Sequence, residues 1–282
     1  MRLLVTGAGG MLGRDVVAAA RARGHECAGL ARGELDVSDR DAVERAVADS
    51  APEVIVNCAA WTDVDGAEAD EAAALAVNGA GAANLARAAV AHGARVVQVS
   101  TDYVFDGSAT RPYVESDPTA PISAYGRTKL AGERAVLDAS PDHAVVRTAW
   151  LFGPAGPNFV ATMLALAAAG RDEVAVVTDQ VGCPTFTGHL AEKLIEVAAE
   201  RRAGILHAAA AGHCSRHEFA QAIFAASGYD VRVTATTSDA VARAAPRPAW
   251  SVLASERDPQ PLPTWADGLS AYLALAPIAV RR

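Results

Sequence analysis

The chain opens MRLLVTGAGGMLG, where a short apolar run, Leu3-Leu4-Val5, empties at once into Gly7, Gly9, Gly10 and Gly13. A strand that ends in glycines and leads into a helical pattern restricts the fold sharply. Glycine has no Cβ, so the backbone can turn tightly and approach a ligand closely. A helix starting on such a turn offers its first free N–H groups to an anion. The dinucleotide spacing G-x-G-x-x-G fits Gly7 and Gly9 but meets Leu12 at its third position. The frame Gly7, Gly10, Gly13 fits better, as G-x-x-G-x-x-G. Strand, glycine turn and helix in this order predict a dinucleotide site at Gly7, Gly10, Met11, Leu12 and Gly13. A plain tight turn is the competing reading.

The rhythm repeats. Strand-like runs at 2–6, 26–30, 53–57, 95–100 and 143–148 alternate with alanine-rich helical patterns near 12–23, 38–50, 68–92 and 124–139. Val- and Leu-rich runs without polar alternation suit a parallel sheet covered on both faces. The pattern predicts the α/β class: a doubly wound, parallel (Rossmann) sheet with right-handed crossovers. At 282 residues, 51% hydrophobic, the chain can bury a large core and hold a smaller second domain. After residue 150 the rhythm loosens. Helices are predicted near 158–170, 187–201 and 215–227, with strands at 173–177 and 204–208 and a proline-broken loop at 243–255. The expected division is a dinucleotide-binding domain at 1–150, joined by the strand and loop 173–186. A smaller, discontinuous α/β substrate domain takes 151–172 and 187–282.

Composition excludes several classes of function. The net charge is −8 and there is no Lys/Arg run, which argues against a nucleic-acid partner. No run of about 20 apolar residues exists, so no membrane span is expected. The first residues lack the basic, apolar and cleavage regions of a secretory signal, so a cytoplasmic protein is expected. Four scattered cysteines without a C-x-x-C pair read as buried thiols. No H-E-x-x-H zinc motif and no G-x-S-x-G elbow appears. Asp63, Asp65 and Glu68 read as acids favoured at a helix N-terminus rather than as metal ligands.

The second strand run ends GLARGELDV. Many NAD binders carry an acid here for the ribose 2′-hydroxyl. This chain has Arg32, which can pair with a 2′-phosphate and so favours NADPH, with NADH as the alternative. Asp36 and Val37 are expected beside the adenine.

The sharpest chemical signal is Tyr125-Gly126-Arg127-Thr128-Lys129. Positions i and i+4 share a helix face. A free tyrosine has a pKa near ~10. A lysine within ~4–6 Å lowers that value, which suits a general acid or base near neutral pH. The fourth strand run ends VQVSTDYVFDG, which places Ser100 and Thr101 at the carboxyl end of the sheet, where ligands bind. A hydroxyl there can donate to a substrate carbonyl.

With these residues in order, the chain resembles the extended short-chain dehydrogenase/reductase superfamily. More narrowly, it resembles the dTDP-4-dehydrorhamnose reductase family. The likeness is carried by TGAGGMLG, NCAAWTDVDGAE, STDYVFDG, YGRTKLAGE, VRTAWLFG, NFVATMLALA and DQVGCPT, spread over most of the chain. The resemblance implies that Tyr125 protonates the C4 oxygen of a nucleotide-sugar ketone as hydride arrives from NADPH. Lys129 then lowers the Tyr125 pKa and holds the nicotinamide ribose. Thr101 hydrogen-bonds the carbonyl, Asp102 contacts the sugar and Trp150 faces its ring. Val99, Ala59, Ala60 and Trp61 lie along the cofactor. Arg247, in Arg247-Pro248-x-x-Ser251-x-Leu253, pairs with the diphosphate.

Two departures stand out: the second-strand acid is absent, and Trp61 replaces a smaller aromatic or His. Some members dimerise around Mg2+; a homodimer stays open here, Mg2+ is not excluded, and no residue is assigned to a metal. The implied reaction turns dTDP-4-dehydro-L-rhamnose into dTDP-L-rhamnose. Alternatives are a 4-ketoreductase for another dTDP-6-deoxyhexose and a non-catalytic, NADP-binding regulatory subunit, like the partner of methionine adenosyltransferase. An epimerase or dehydratase is disfavoured, since Thr101 is followed by Asp102-Tyr103 rather than Asp-Glu.

Overall fold

In a computed structural model, described for residues 1–258 and 260–275, six parallel strands form the central sheet. Their order is Gly204–His207, Ala144–Thr148, Arg95–Thr101, Val54–Asn57, Arg2–Thr6 and Glu26–Leu30. Arg2–Thr6 pairs on one side with Glu26–Leu30 and on the other with Val54–Asn57. The chain therefore reverses direction across the sheet between Arg2–Thr6 and Val54–Asn57. In such sheets, ligands bind in the crevice that this reversal opens at the carboxyl ends of the strands.

The strands lack polar alternation because both faces are covered. Successive residues point to opposite faces, so Leu4 and Val5 feed different layers. Val5 packs with Val16 of the Met11–Ala22 helix and with Leu190 and Ile195 of Thr187–Ala199. Leu4 packs with Val43 of Arg40–Ser50 and Leu85 of Ala82–Ala91. The helical pattern expected at 68–92 starts earlier, at Val64, and is not uniform. It runs as Val64–Ala69, Glu71–Leu75, a π-helical stretch Ala76–Gly81 and then Ala82–Ala91. Such π-bulges cluster at functional sites.

A smaller layer holds the helices Phe159–Ala168, Arg216–Ser227 and Trp265–Leu275 around Phe152, Phe219, Phe224 and Tyr272. The sequence-based division is redrawn at two places. Thr187–Ala199 and Gly204–His207, assigned to the second domain, pack on and extend the central sheet. Glu173–Val177, assigned to the first, pairs in parallel with Arg232–Thr236 in the smaller layer. An apolar helix stripe shows that a face is buried, but not against what. Residues 276–282 of the expected second domain lie outside the described residues.

The strand Arg232–Thr236 and the helix Trp265–Leu275 were not expected. Gly268 in that helix is a poor helix former. A Cβ there would come within 2.9 Å of the Phe186 Cβ, so its absence permits close packing. The tail 243–255 carries only isolated bridges, Val181 with Trp250 and Tyr113 with Leu253. Among the described residues, no helix is long and apolar enough to cross a membrane.

Candidate active site

A cleft of about 1420 Å³ runs along the carboxyl ends of the strands. Its floor is built by the opening glycines. Gly7 has a φ of +66°, and a Cβ on it would lie 2.7 Å from the Ala59 nitrogen. A Cβ on Gly13 would run into the Gly7 carbonyl. Gly10 caps the Met11–Ala22 helix without a side chain, so the first-turn N–H groups stay available beside the cleft. A cradle of free N–H groups that tolerates no Cβ fits a dinucleotide pyrophosphate.

Buried amides tie the strand ends together. The Thr6 hydroxyl donates to Asn57 Oδ1 at 2.6 Å, and Asn57 Nδ2 donates to Gln98 Oε1 at 2.7 Å. Ala59 N–H also donates to Asn57 Oδ1, which fixes the turn that carries Ala59, Ala60 and Trp61 along the cleft. Asn78, within the π-helical stretch, accepts from Trp61 N–H at 2.9 Å and donates to Thr128 Oγ1 at 3.0 Å. One buried side chain thus joins the Trp61 turn to the helix carrying Tyr125 and Lys129.

Arg32, Asp36 and Val37 line the same cleft. Arg32 is exposed. The Ser38 hydroxyl and N–H donate to Asp36, at 2.7 and 2.9 Å, and hold its carboxyl below the usual range.

Val99, Thr101, Asp102, Tyr125, Lys129 and Trp150 complete the lining. The Ala124–Ala139 helix begins on Ser123, whose side chain accepts from Gly126 N–H at 3.2 Å. A Cβ on Gly126 would meet the Tyr103 carbonyl, so the glycine between Tyr125 and Lys129 lets the helix press onto the turn after Thr101. The Tyr125 and Tyr103 rings meet edge-on, with centroids 5.6 Å apart.

Lys129 Nζ donates to the Val99 carbonyl at 2.7 Å. Burial pulls its pKa down to about 8, against the opposing charge of Glu133. Burial pushes the Tyr125 phenol well above its ordinary value, and the Thr101 hydroxyl opposes the rise. Burial also raises Asp102 to about 6, with Ser251 and Thr101 opposing. Thr101 Oγ1 donates to Asp102 Oδ1 at 3.0 Å. Ser100, the other strand-end hydroxyl, instead donates to Glu133. Glu133 pairs with Arg147 at 2.7 Å, each side chain 2% exposed.

Arg247 departs from expectation. It is not among the cleft-lining residues. Its two terminal nitrogens donate to Asp65 at 2.8 and 2.7 Å, and one also donates to the Ala245 carbonyl. The Arg247 guanidinium holds the Asp65 carboxyl far below the usual carboxylate range. Of the acids read as a helix N-terminus, Asp63 does cap Val64–Ala69, whereas Glu68 accepts from Ala124 N–H at 2.7 Å.

The sequence reading missed Arg14, Cys58, Tyr103 and Arg216, all on the cleft, and Asn78 behind it. Burial raises the Cys58 thiol to about 12, so it stays protonated. Asn78 interrupts an alanine-rich helical run with no spacing of its own. Arg216 had one signal: a cation on the first turn of a helix opposes the helix dipole. Among the described residues, no group of three or more His, Cys, Asp or Glu side chains is placed to hold a metal.

Comparison with known proteins agrees with this geometry. The family model described as RmlD substrate binding domain matches residues 1–276. A dTDP-4-dehydrorhamnose reductase of Streptomyces griseus is 51% identical over 263 residues, covering 91% of this chain and 86% of the relative. A dTDP-4-keto-6-deoxy-D-glucose reductase of Streptomyces niveus is 47% identical over 254 residues, 89% of this chain and 88% of the relative. The crystal structure of dTDP-4-dehydrorhamnose reductase from Bacillus anthracis in complex with NADP superposes with a TM-score of 0.94. It is 34% identical and covers 98% of this chain and 99% of its own. The chain therefore belongs to the dTDP-4-dehydrorhamnose reductase family of NAD(P)H-dependent oxidoreductases.

Proposed function

We propose that the chain reduces the C4 ketone of dTDP-4-dehydro-L-rhamnose to dTDP-L-rhamnose, with NADPH as reductant and Tyr125 as proton donor. The observation that carries this reading is the meeting of Thr101, Tyr125 and Lys129 in the cleft that holds the glycine cradle. When bound there, the nicotinamide supplies the hydride. The Thr101 hydroxyl, which donates to Asp102 in the free protein, rotates to donate to the ketone oxygen. Tyr125 gives its proton to the same oxygen as negative charge develops on it. A phenol raised by burial holds that proton at neutral pH, as a donor in a reduction must. Lys129 presents its ammonium beside the strand end, where it can hold the ribose. Asp102 and Trp150 position the sugar. The turns after the first three strands hold the cofactor, and Arg32 beside the ribose favours the 2′-phosphate of NADPH.

A second reading keeps every catalytic residue and changes the sugar. It is favoured by the 47% identity to the dTDP-4-keto-6-deoxy-D-glucose reductase. NADPH oxidation with dTDP-4-keto-6-deoxyglucose, with and without a 3,5-epimerase, separates the two. Turnover only with the epimerase supports the rhamnose reaction. Equal turnover without it supports the second reading. No turnover despite tight NADPH binding would instead point to a non-catalytic, regulatory subunit.

A further inference from the structure

Arg216 is, with Arg14, a cleft cation that sequence reasoning passed over, and it stands in an unusual position. It occupies the first turn of the Arg216–Ser227 helix, just after the capping residue Ser215. The helix dipole disfavours a cation there. Its guanidinium lies 3.5 Å from the centre of the Trp150 ring and 5.2 Å from that of Phe159. Stacking of this kind fixes the plane of the fork and leaves its N–H edges free to donate. Among the described residues, those edges meet no hydrogen-bond acceptor and no carboxylate within ion-pair distance. Asp102 is close enough to be felt, but among the described residues it makes no ion pair with Arg216: its Oδ1 accepts from Thr101 and its buried Oδ2 has no partner. Burial pulls the Arg216 pKa down to about 10, the mark of a charge that its surroundings do not fully compensate.

Arg247 is the reverse case. Its fork is already filled by the Asp65 carboxylate. A phosphate would have to displace that carboxylate, whereas at Arg216 no paired carboxylate stands in its way among the described residues.

We propose that Arg216, rather than Arg247, anchors the substrate through the phosphate attached to its sugar. The assignment rests on the nucleotide-sugar reading above and deepens it. It follows from the chemistry of a rigid, unpaired guanidinium that faces the sugar pocket. Only the diphosphate of a nucleotide sugar is anionic, and its distal phosphate is bonded directly to the ring that Trp150 is expected to face. An arginine on Trp150 therefore reaches that phosphate while Thr101 and Tyr125 reach the ketone.

The test is calorimetric binding of dTDP and dTMP to the NADPH-loaded protein, as wild type, Arg216→Gln and Arg216→Lys. Wild type should bind dTDP about tenfold or more tighter than dTMP, the worth of one charge-assisted fork. Arg216→Gln should lose most of that preference and keep its affinity for dTMP and NADPH. Arg216→Lys, with charge but no fork, should fall between. Full preference retained in Arg216→Gln overturns the assignment, as does loss of the preference in Arg247→Gln alone. Failure of dTDP to bind wild type at all overturns the nucleotide-sugar reading, and the anchor with it.

Discussion

Lys129 donates its ammonium to the Val99 carbonyl at 2.7 Å, which ties the cation of the Tyr–Lys pair to the end of a sheet strand. That bond places the charge at the floor of the cleft, and burial lowers its pKa to about 8. The ammonium is therefore present below pH 8 and lost above it. NADPH affinity and kcat/KM should fall as the pH rises through this value. Lys129→Arg keeps its charge and should move the fall to higher pH. Profiles of NADPH binding by fluorescence, and of kcat/KM, check this; a wild-type profile flat to pH 9.5 would contradict it.

Asp102 titrates in the opposite sense to a salt-bridged carboxylate. Burial raises it to about 6, so the folded chain takes up a proton that the unfolded chain does not. Its ionised form costs stability at neutral pH, and the cost fades as the pH falls through 6. Relative to Asp102→Asn, wild type should gain about 1.4 kcal/mol between pH 7 and pH 5. Urea unfolding of both proteins at the two pH values measures the difference, and parallel behaviour would contradict the assignment.

Glu133, on the Ala124–Ala139 helix, and Arg147 form a doubly hydrogen-bonded pair. Glu133→Gln leaves the buried guanidinium uncompensated and should destabilise the fold by about 3–5 kcal/mol. Replacing both partners by methionine should cost less, because no charge is then stranded. Denaturant midpoints of the single and double variants decide the matter.

Arg32 makes no hydrogen bond or ion pair among the described residues and stands in the cleft. If it receives the 2′-phosphate, Arg32→Ala should reduce the NADPH/NADH ratio of kcat/KM about tenfold or more, since a charge-assisted contact is lost. An unchanged ratio would assign coenzyme choice elsewhere, with Arg14 the next guanidinium on the cleft.

Much of the fold and of the cleft is legible in the sequence alone, and the reasons are physical. The glycine loop could be read because Gly7 and Gly13 sit where the backbone leaves no room for a Cβ. Tyr125 and Lys129 could be read because helix geometry converts their spacing into a shared face. Contacts between residues far apart in sequence were hidden. The Arg247–Asp65 pair spans 182 positions, and nothing in either local stretch announces it. Asn78 and Arg216 lie in ordinary helical patterns, where a polar residue reads as facing solvent. The Thr187–Ala199 helix shows an apolar stripe in sequence, but only packing reveals that the stripe faces the Met11–Ala22 helix.

The central claim is that Tyr125 delivers the proton, and single-turnover kinetics of Tyr125→Phe with NADPH and the ketosugar test it most directly. The account expects the rate to fall by about 10²–10⁴, with NADPH affinity nearly unchanged, because the phenol acts on the substrate oxygen and not on the cofactor. A Tyr125→Phe rate close to wild type would contradict it.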